Sequence, residues 1–283
     1  MKTILVPVDF SEYSEYALEV AASIARRQNS KIVVLHMLGW SESVLIKNEE
    51  HQAPHYRQIA KDRFKSFLKK EYLKNIPVVV TIRNDKLFRE INEISKEYKS
   101  SLIVMGSQGS SGIKEFFIGS NTEKVIRWSE TPVLVIKKRI KDFNIKKAVI
   151  AFDFDLEGIK TFKEALNFLK NFNCEPALLY VNLVQNFLST IDMRARVHNF
   201  FEEAGMEDMG IQDKVVYYND YSLEKGILNF SRETGSDAIV ILTHGHKGIA
   251  YQFFGSVGEE IANHFVIPVL TFKIHTSDRS NDN

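Results

Sequence analysis

The residues best placed to do chemistry are glycines that recur in one segment of the first half of the chain. Gly106, Gly109 and Gly119 precede Ser120 with the spacing G-x2-G-x9-G-S, between a strand-like apolar run and a helix-like segment. Glycine lets main-chain N–H groups approach a ligand closely, and the start of a helix favours negative charge. The pattern therefore indicates a phosphate-binding loop, with the Ser120 hydroxyl as a helix cap or as a donor to phosphate. The alternative interpretation is an ordinary glycine-serine turn.

The glycine segment belongs to a series of apolar runs that alternate with amphipathic segments. Strands are predicted at 3–8, 31–37, 77–82, 102–105 and 132–136, and helices at 55–74, 86–98 and 120–129. Ser11 is the expected N-cap of a further helix after the first strand. This alternation predicts an α/β fold with a doubly wound, five-stranded parallel sheet covered by helices on both faces. Ligands bind such sheets at the carboxyl ends of the strands, where Asp9, Met37 and the glycine segment lie.

The second half of the chain repeats the first. Four blocks match in order: 4–9 with 148–153, 32–37 with 177–181, 102–120 with 238–256, and 131–134 with 267–270. Such ordered matches predict a tandem duplication of one domain. We expect a first domain at 1–141, a second at 142–274 and a polar tail at 275–283. The charged joint between the two copies, residues 137–142, contains no glycine or proline, so it should be short and fairly stiff.

Composition excludes several classes of protein. With 37 Lys+Arg against 36 Asp+Glu, the chain offers no electrostatic footprint for nucleic acid or an acidic membrane surface. No apolar run approaches the ~20 residues that a membrane-spanning helix needs. The N-terminus lacks the features of a signal peptide. The single Cys174 can form no internal disulfide, which fits a reducing compartment. We therefore expect a cytoplasmic protein without nucleic-acid or membrane partners.

Signatures of common enzymes are missing. The sequence has no G-x4-G-K-[ST], no G-x-G-x-x-G after the first strand and no G-x-S-x-G. We assign no catalytic residue, because no His or Glu is placed to activate water beside a phosphate. His244 and His246 make a poor ligand set on their own, so no metal ligand is assigned. His51 and His55 are expected in a loop because a proline separates them, and His36 is expected in the core.

The motifs resemble those of the universal stress protein family in its tandem-domain form. Nucleotide-binding members of that family carry G-x2-G-x9-G-[ST] after the fourth strand, and positions 106, 109, 119 and 120 match it. Residues 7–11 and 131–135 also resemble the first and last strands of the family. The resemblance covers residues 1–138 and, more weakly, 145–274. It implies a fold like that of the adenine nucleotide alpha hydrolases.

The resemblance also implies an adenine-nucleotide site, usually for ATP, in the first domain. Asp9 would contact the ribose, since a carboxylate accepts well from hydroxyls, or it would cap the following helix instead. The other implied contacts are Pro7 and Met105 beside the base, the main chain of Met37 at the adenine edge, Gly106 and Gly109 at the ribose and α-phosphate, and Gly119, Ser120 and Asn121 at the outer phosphates. AMP and ADP are alternative ligands, and Mg²⁺ is expected with the phosphates.

The second copy departs from this pattern. Leu242 stands where the first copy has Gly106, and Ala151 stands in place of Pro7, whereas Asp153 persists at the position of Asp9. A leucine side chain at the first glycine position should crowd a ligand held against the main chain. We therefore expect the second domain to bind nucleotide weakly or not at all.

Three functions remain open from the sequence. The first is a stress-response regulator whose partner surface responds to bound nucleotide. The second is a slow ATPase, or a protein that phosphorylates itself at Ser110 or Ser111, and the third is a scaffold that binds no nucleotide. The resemblance also implies that the last strands, 132–137 and 268–273, pair in an intramolecular pseudo-dimer. The sequence leaves open whether the chain also forms a homodimer and which protein partner it binds.

Overall fold

A computed structural model describes residues 1–38, 49–83, 89–107, 120–207, 210–243 and 266–274, with the side chains of all but residues 49–54, 89 and 120. The chain divides into two compact units, Met1–Asn144 and Ile145–Asn283. Within the described ranges, no helix combines the length and apolar character needed to cross a membrane.

The first unit is a parallel sheet with helices between its strands. Its strands are β1 (Thr3–Pro7), β2 (Lys31–Met37), β3 (Val78–Arg83), β4 (Ser100–Gly106) and β5 (Val133–Ile136). They lie in the order β3-β2-β1-β4-β5, and each neighbouring pair is parallel. The helices are α1 (Glu12–Gln28), α2 (Glu49–Phe67), α3 (Arg89–Glu97) and α4 (Ser120–Trp128), with a short 3-10 helix at Glu71–Leu73. Strands β1 and β5 are buried along their full length, as expected for a sheet covered on both faces.

The second unit repeats this topology. Its strands are β6 (Ala148–Ala151), β7 (Ala177–Leu183), β8 (Val215–Asp220), β9 (Ala238–Thr243) and β10 (Val269–Lys273). They lie in the order β10-β9-β6-β7-β8, all parallel. Its described helices are α5 (Ile159–Lys170), α6 (Thr190–Glu203) and α7 (Leu223–Glu233), with 3-10 helices at Leu156–Gly158, Val184–Asn186 and Gln212–Lys214. The predicted fold class, two tandem doubly wound α/β domains, is confirmed.

Both units make the same turn after their first strand. Phe10 and Phe154 adopt left-handed backbone conformations, with φ of 64° and 56°. This conformation costs a non-glycine residue about 1–2 kcal/mol. Each phenylalanine packs its ring among other aromatic rings, Phe10 against Phe64 and Phe154 against Phe200, with centroids 4.9 and 5.5 Å apart. The aromatic contacts compensate for the strained turn in both units.

Hydrogen bonds beside this turn align the two copies residue by residue. The Val8 amide donates to the Leu35 carbonyl, and the Phe152 amide donates to the Leu179 carbonyl. Leu179 therefore occupies the position of Leu35. One residue further along the chain, Tyr180 occupies the position of His36.

The prediction for the second helix was wrong at both ends. Helix α2 begins at Glu49, so His51 and His55 lie one turn apart on a helix and not in a loop. Pro54 lies within this helix, where a proline removes one main-chain N–H donor without ending the helix. The helix ends at Phe67, before the predicted end at residue 74. Lys70 then adopts an extended conformation, and a 3-10 turn follows in which Leu73 is buried.

An ion pair attaches the charged joint to helix α1. The Glu19 side chain is only 8% exposed. Its carboxylate accepts from Arg139 Nε at 2.7 Å and from Arg139 Nη2 at 3.4 Å. Arg139 itself is half exposed, so the buried member of the pair is the carboxylate. Removing its partner would leave a buried charge without compensation, which is costly.

We predict that Arg139→Met lowers the stability of the first unit, and that adding Glu19→Gln recovers most of the loss. A neutral amide costs less to bury than an unpaired carboxylate. Urea unfolding followed by circular dichroism measures both effects. Lys138→Met is the matched control, since Lys138 is an exposed neighbour. Equal unfolding midpoints for Arg139→Met and Lys138→Met would contradict the prediction.

Candidate functional site

The carboxyl edge of the first sheet brings together the described residues of the predicted site. Pro7 ends β1, Met37 ends β2, and Met105 and Gly106 end β4. The registers Pro7↔Leu35 and Leu5↔Ile103 place the ends of these strands at the same edge. The carboxyl ends of these parallel strands therefore form one rim, and Asp9 lies two residues beyond the end of β1.

Asp9 stabilises the turn that leads into α1. Its Oδ1 atom accepts from the Ser11 amide at 3.0 Å, and the residue is partly exposed. Ser11 is the N-cap of α1, as predicted, and its hydroxyl oxygen accepts from the Ser14 amide. The helix cap is therefore Ser11, and Asp9 supports that cap through the turn. Contact between Asp9 and a ribose stays a prediction.

The apolar residues expected beside the base are buried. Pro7 is buried, Met37 is completely inaccessible, and Met105 is 4% exposed. The side chains therefore belong to the core of the sheet. Contact between the Met37 main chain and an adenine edge stays a prediction.

Gly106 is required by the packing of α1 against β4. A Cβ atom at this position would lie 2.7 Å from the main-chain carbon, the oxygen and the Cβ of Tyr13. No side chain fits at that separation. The sequence argument assigned this glycine to a ligand, whereas the geometry shows that the helix itself excludes a side chain here.

The second unit has a leucine at the position of Gly106, and the helix start accommodates it. Leu242 on β9 is 1% exposed. One of its δ-carbons lies 3.8 Å from where a Cβ of Gly158 would stand, at the start of α5. The leucine side chain thus lies against the helix start. Packing against the helix start therefore accounts for the leucine at position 242. The expectation that the second unit binds nucleotide weakly or not at all stays a prediction.

Thr122 connects the two ends of the glycine segment, and the sequence analysis missed it. Its hydroxyl donates to the Gly106 carbonyl at 2.9 Å and is buried. This bond holds the start of α4 against the end of β4. Ser120 is the first residue of α4, and the partly buried Asn121 follows. Gly109 and Gly119 lie outside the described residues. A threonine in the first turn of a helix carries no distinctive sequence signal, so only the fold identifies it.

The other candidate groups are structural. His36 is 3% exposed, and its Nδ1 lies 2.8 Å from the Val8 carbonyl oxygen, which confirms a hydrogen-bonded core residue. Burial raises the pKa of the Cys174 thiol, so the sulfur is not an activated nucleophile. Among the residues that the structure describes, no group of three or more His, Cys, Asp or Glu side chains could hold a metal ion. His244 and His246 lie outside the described residues.

The fold and the residues at the carboxyl edge of the first sheet together define a class of protein. It is a tandem, doubly wound α/β protein whose first domain places a carboxylate, a strand end and a helix start on one rim. The Universal stress protein family profile matches residues 1–137 and 144–273. The chain therefore belongs to the universal stress protein family, as the sequence motifs indicated.

Individual relatives match one unit or both. Universal stress protein YxiE of Bacillus subtilis is 30% identical over 146 residues, covering 47% of this chain and 97% of its own. Universal stress protein Slr1230 of Synechocystis is 23% identical over 299 residues, covering 96% of this chain and all of its own. The crystal structure of a universal stress protein from Archaeoglobus fulgidus has a TM-score of 0.69 at 22% identity, with 96% of each chain covered. The last two show that the tandem arrangement occurs in other proteins.

We predict that Gly106→Ala destabilises the first unit by about 1–3 kcal/mol, because the new methyl group overlaps the Tyr13 main chain. Gly158→Ala is the matched control. Its Cβ would meet Ile274 and Leu242 at the ordinary contact distances of 3.7 and 3.8 Å. We expect a change within about 0.5 kcal/mol for the control. Chemical denaturation in the absence of any ligand measures both, and equal stabilities would show that the glycine does not serve packing.

Proposed function

We propose that the first domain binds an adenine nucleotide, ATP, and that the protein acts as a nucleotide-linked regulator in the stress response. The observation that carries the proposal is the meeting of Asp9, the end of β4 and the start of α4 at one edge. Thr122 holds the last two of these together. The motif G-x2-G-x9-G-S spans the same two elements. Phosphate sites of this kind require a strand that is followed by a glycine segment and then by the start of a helix.

The residues present suit such a ligand. Asp9 would accept from the ribose hydroxyls, next to the buried rim formed by Pro7, Met37 and Met105. Gly109, Gly119, Ser120 and Asn121 would donate to the phosphates, helped by the partial positive charge at the start of α4. Mg²⁺ would bind mainly through phosphate oxygens and water, which suits a site with few protein carboxylates.

Regulation follows if the nucleotide binds two conformations of the chain with different affinity. A ligand shifts a conformational equilibrium only by that difference in affinity. The proposed role is cytoplasmic, as charge balance and the lone cysteine indicated. The proposal also includes a pseudo-dimer, in which the last strands of the two domains would pair and so remove two exposed sheet edges.

We predict that Asp9→Asn weakens ATP binding about tenfold, equivalent to ~1.4 kcal/mol, because a neutral amide accepts less strongly than a carboxylate. The asparagine oxygen can still accept from the Ser11 amide, so the turn is retained. Isothermal titration calorimetry on the full chain measures affinity and stoichiometry.

Asp153→Asn is the matched control, because Asp153 makes the same turn in the second unit, with its Oδ1 3.2 Å from the Asp155 amide nitrogen. We expect one ATP per chain, with unchanged affinity in this control. The proposal fails if ATP does not bind to the wild-type chain, or if Asp153→Asn is the variant that weakens binding.

A further inference from the structure

The second unit contains a cavity at the carboxyl ends of β6 and β7. Its volume is about 350 Å³. The apolar part of its wall includes Ala151, Leu179 and Leu223, and the polar part includes Asp153, Tyr180 and Arg196. A concave, mostly apolar cavity with a few polar groups is typical of small-molecule sites. The volume lies near the lower end of the range for such sites, which favours a ligand smaller than a nucleoside triphosphate.

Three polar side chains share the wall of this cavity. Asp153, Tyr180 and Arg196 all line it. Burial raises the pKa of the Tyr180 phenol, the positive charge of Arg196 lowers it, and the negative charge of Asp153 raises it. The cavity thus presents a cationic group, an anionic group and a hydroxyl donor on one wall.

Arg196 retains hydrogen-bonding capacity towards a ligand. Its Nη2 lies 3.7 Å from Asp155 Oδ2. Charge-assisted N–H···O bonds are about 2.7–2.9 Å long, so this contact is an ion pair and not a hydrogen bond. The guanidinium has five N–H donors, and a planar carboxylate can accept from two of them at once.

A buried hydrogen-bond network holds the wall of the cavity in place. Asn182 is 2% exposed. Its Nδ2 donates to the Leu188 carbonyl at 3.2 Å, and its Oδ1 accepts from the Leu188 amide at 3.0 Å. These reciprocal bonds fix residues 183–188, which carry Leu183, Asn186 and Leu188 into the cavity wall. The site is therefore built before any ligand arrives, which lowers the entropic cost of binding.

The cavity lies at the edge that corresponds to the candidate nucleotide site of the first unit, since Ala151 and Asp153 occupy the positions of Pro7 and Asp9, but other polar groups differ between the copies. Tyr180 occupies the position of His36, whose ring nitrogen lies against the Val8 carbonyl instead. Asn182 occupies the position of Leu38, an apolar residue. The duplicated edge has thus acquired different polar chemistry in each copy.

We propose that this cavity binds a free amino acid with a bulky apolar side chain. The ammonium group would donate to Asp153, and the carboxylate would accept from Arg196 and the Tyr180 hydroxyl. The side chain would lie against Ala151, Leu179 and Leu223. A ligand with one charge of each sign and an apolar body matches the three kinds of group on the wall. A ligand lacking either charge would lose one of the two charge-assisted contacts.

The test is calorimetric titration of the full chain with L-leucine. We expect one saturable site. Leucinamide lacks the carboxylate and 4-methylpentanoate lacks the ammonium, so each should bind at least about tenfold more weakly, a loss of ~1.4 kcal/mol or more. Arg196→Gln and Asp153→Asn should each weaken leucine binding by a similar factor. Asp153→Asn should not weaken the binding of 4-methylpentanoate, because it removes a negative charge beside the ligand carboxylate, whereas a merely structural defect would weaken the binding of both ligands.

Arg194→Gln is the matched control, because Arg194 is an exposed neighbour on the same helix and does not line the cavity. It should bind leucine as the wild type does. The proposal is overturned if leucine does not bind at millimolar concentration, or if leucinamide binds equally well. It is also overturned if adenosine displaces leucine and Arg196→Gln weakens adenosine binding. Titration of the same variants with ATP tests nucleotide binding by the first domain separately. The failure of one proposal can therefore be distinguished from the failure of the other.

Discussion

The close approach of helix α1 to strand β4 is the constraint on which the first unit depends. The main chain of Tyr13 comes so near to Gly106 that no side chain fits between them. This contact places the turn at Asp9 and the start of α1 beside the end of β4. The bond from Thr122 to Gly106 then brings the start of α4 to the same place. The candidate nucleotide site therefore depends on helix packing before any ligand is considered.

The second unit meets the same contact between strand and helix with a different residue. There the strand carries Leu242, one of whose δ-carbons would lie 3.8 Å from a Cβ at Gly158, an ordinary contact distance. A side chain on the strand is therefore accommodated in this unit, whereas none fits at Gly106 in the first. The polar residues at the carboxyl edge differ as well, with His36 in one copy and Tyr180 in the other.

The carboxyl edges of the two sheets are suited to different ligands. The first offers a carboxylate, a glycine segment and a helix start, which suit a ribose and phosphates. The second offers Asp153, Tyr180 and Arg196 around a small, mostly apolar cavity, held by Asn182. A duplicated domain can change its ligand without changing its fold, because function depends on a few side chains at the strand ends.

Local patterns in the sequence determined the strands, their parallel topology, the duplication and the serine cap at position 11. Apolar runs, helical spacing and capping chemistry depend on near neighbours, and the family motif lies within one short stretch. The sequence could not show that Gly106 faces a helix, that Thr122 reaches back to it, or that α2 continues through Pro54. It could not show that Asn182 holds the wall of a cavity containing Arg196. Only the tertiary structure decided these points, because each depends on atoms that are far apart in the chain or on packing that outweighs local preference.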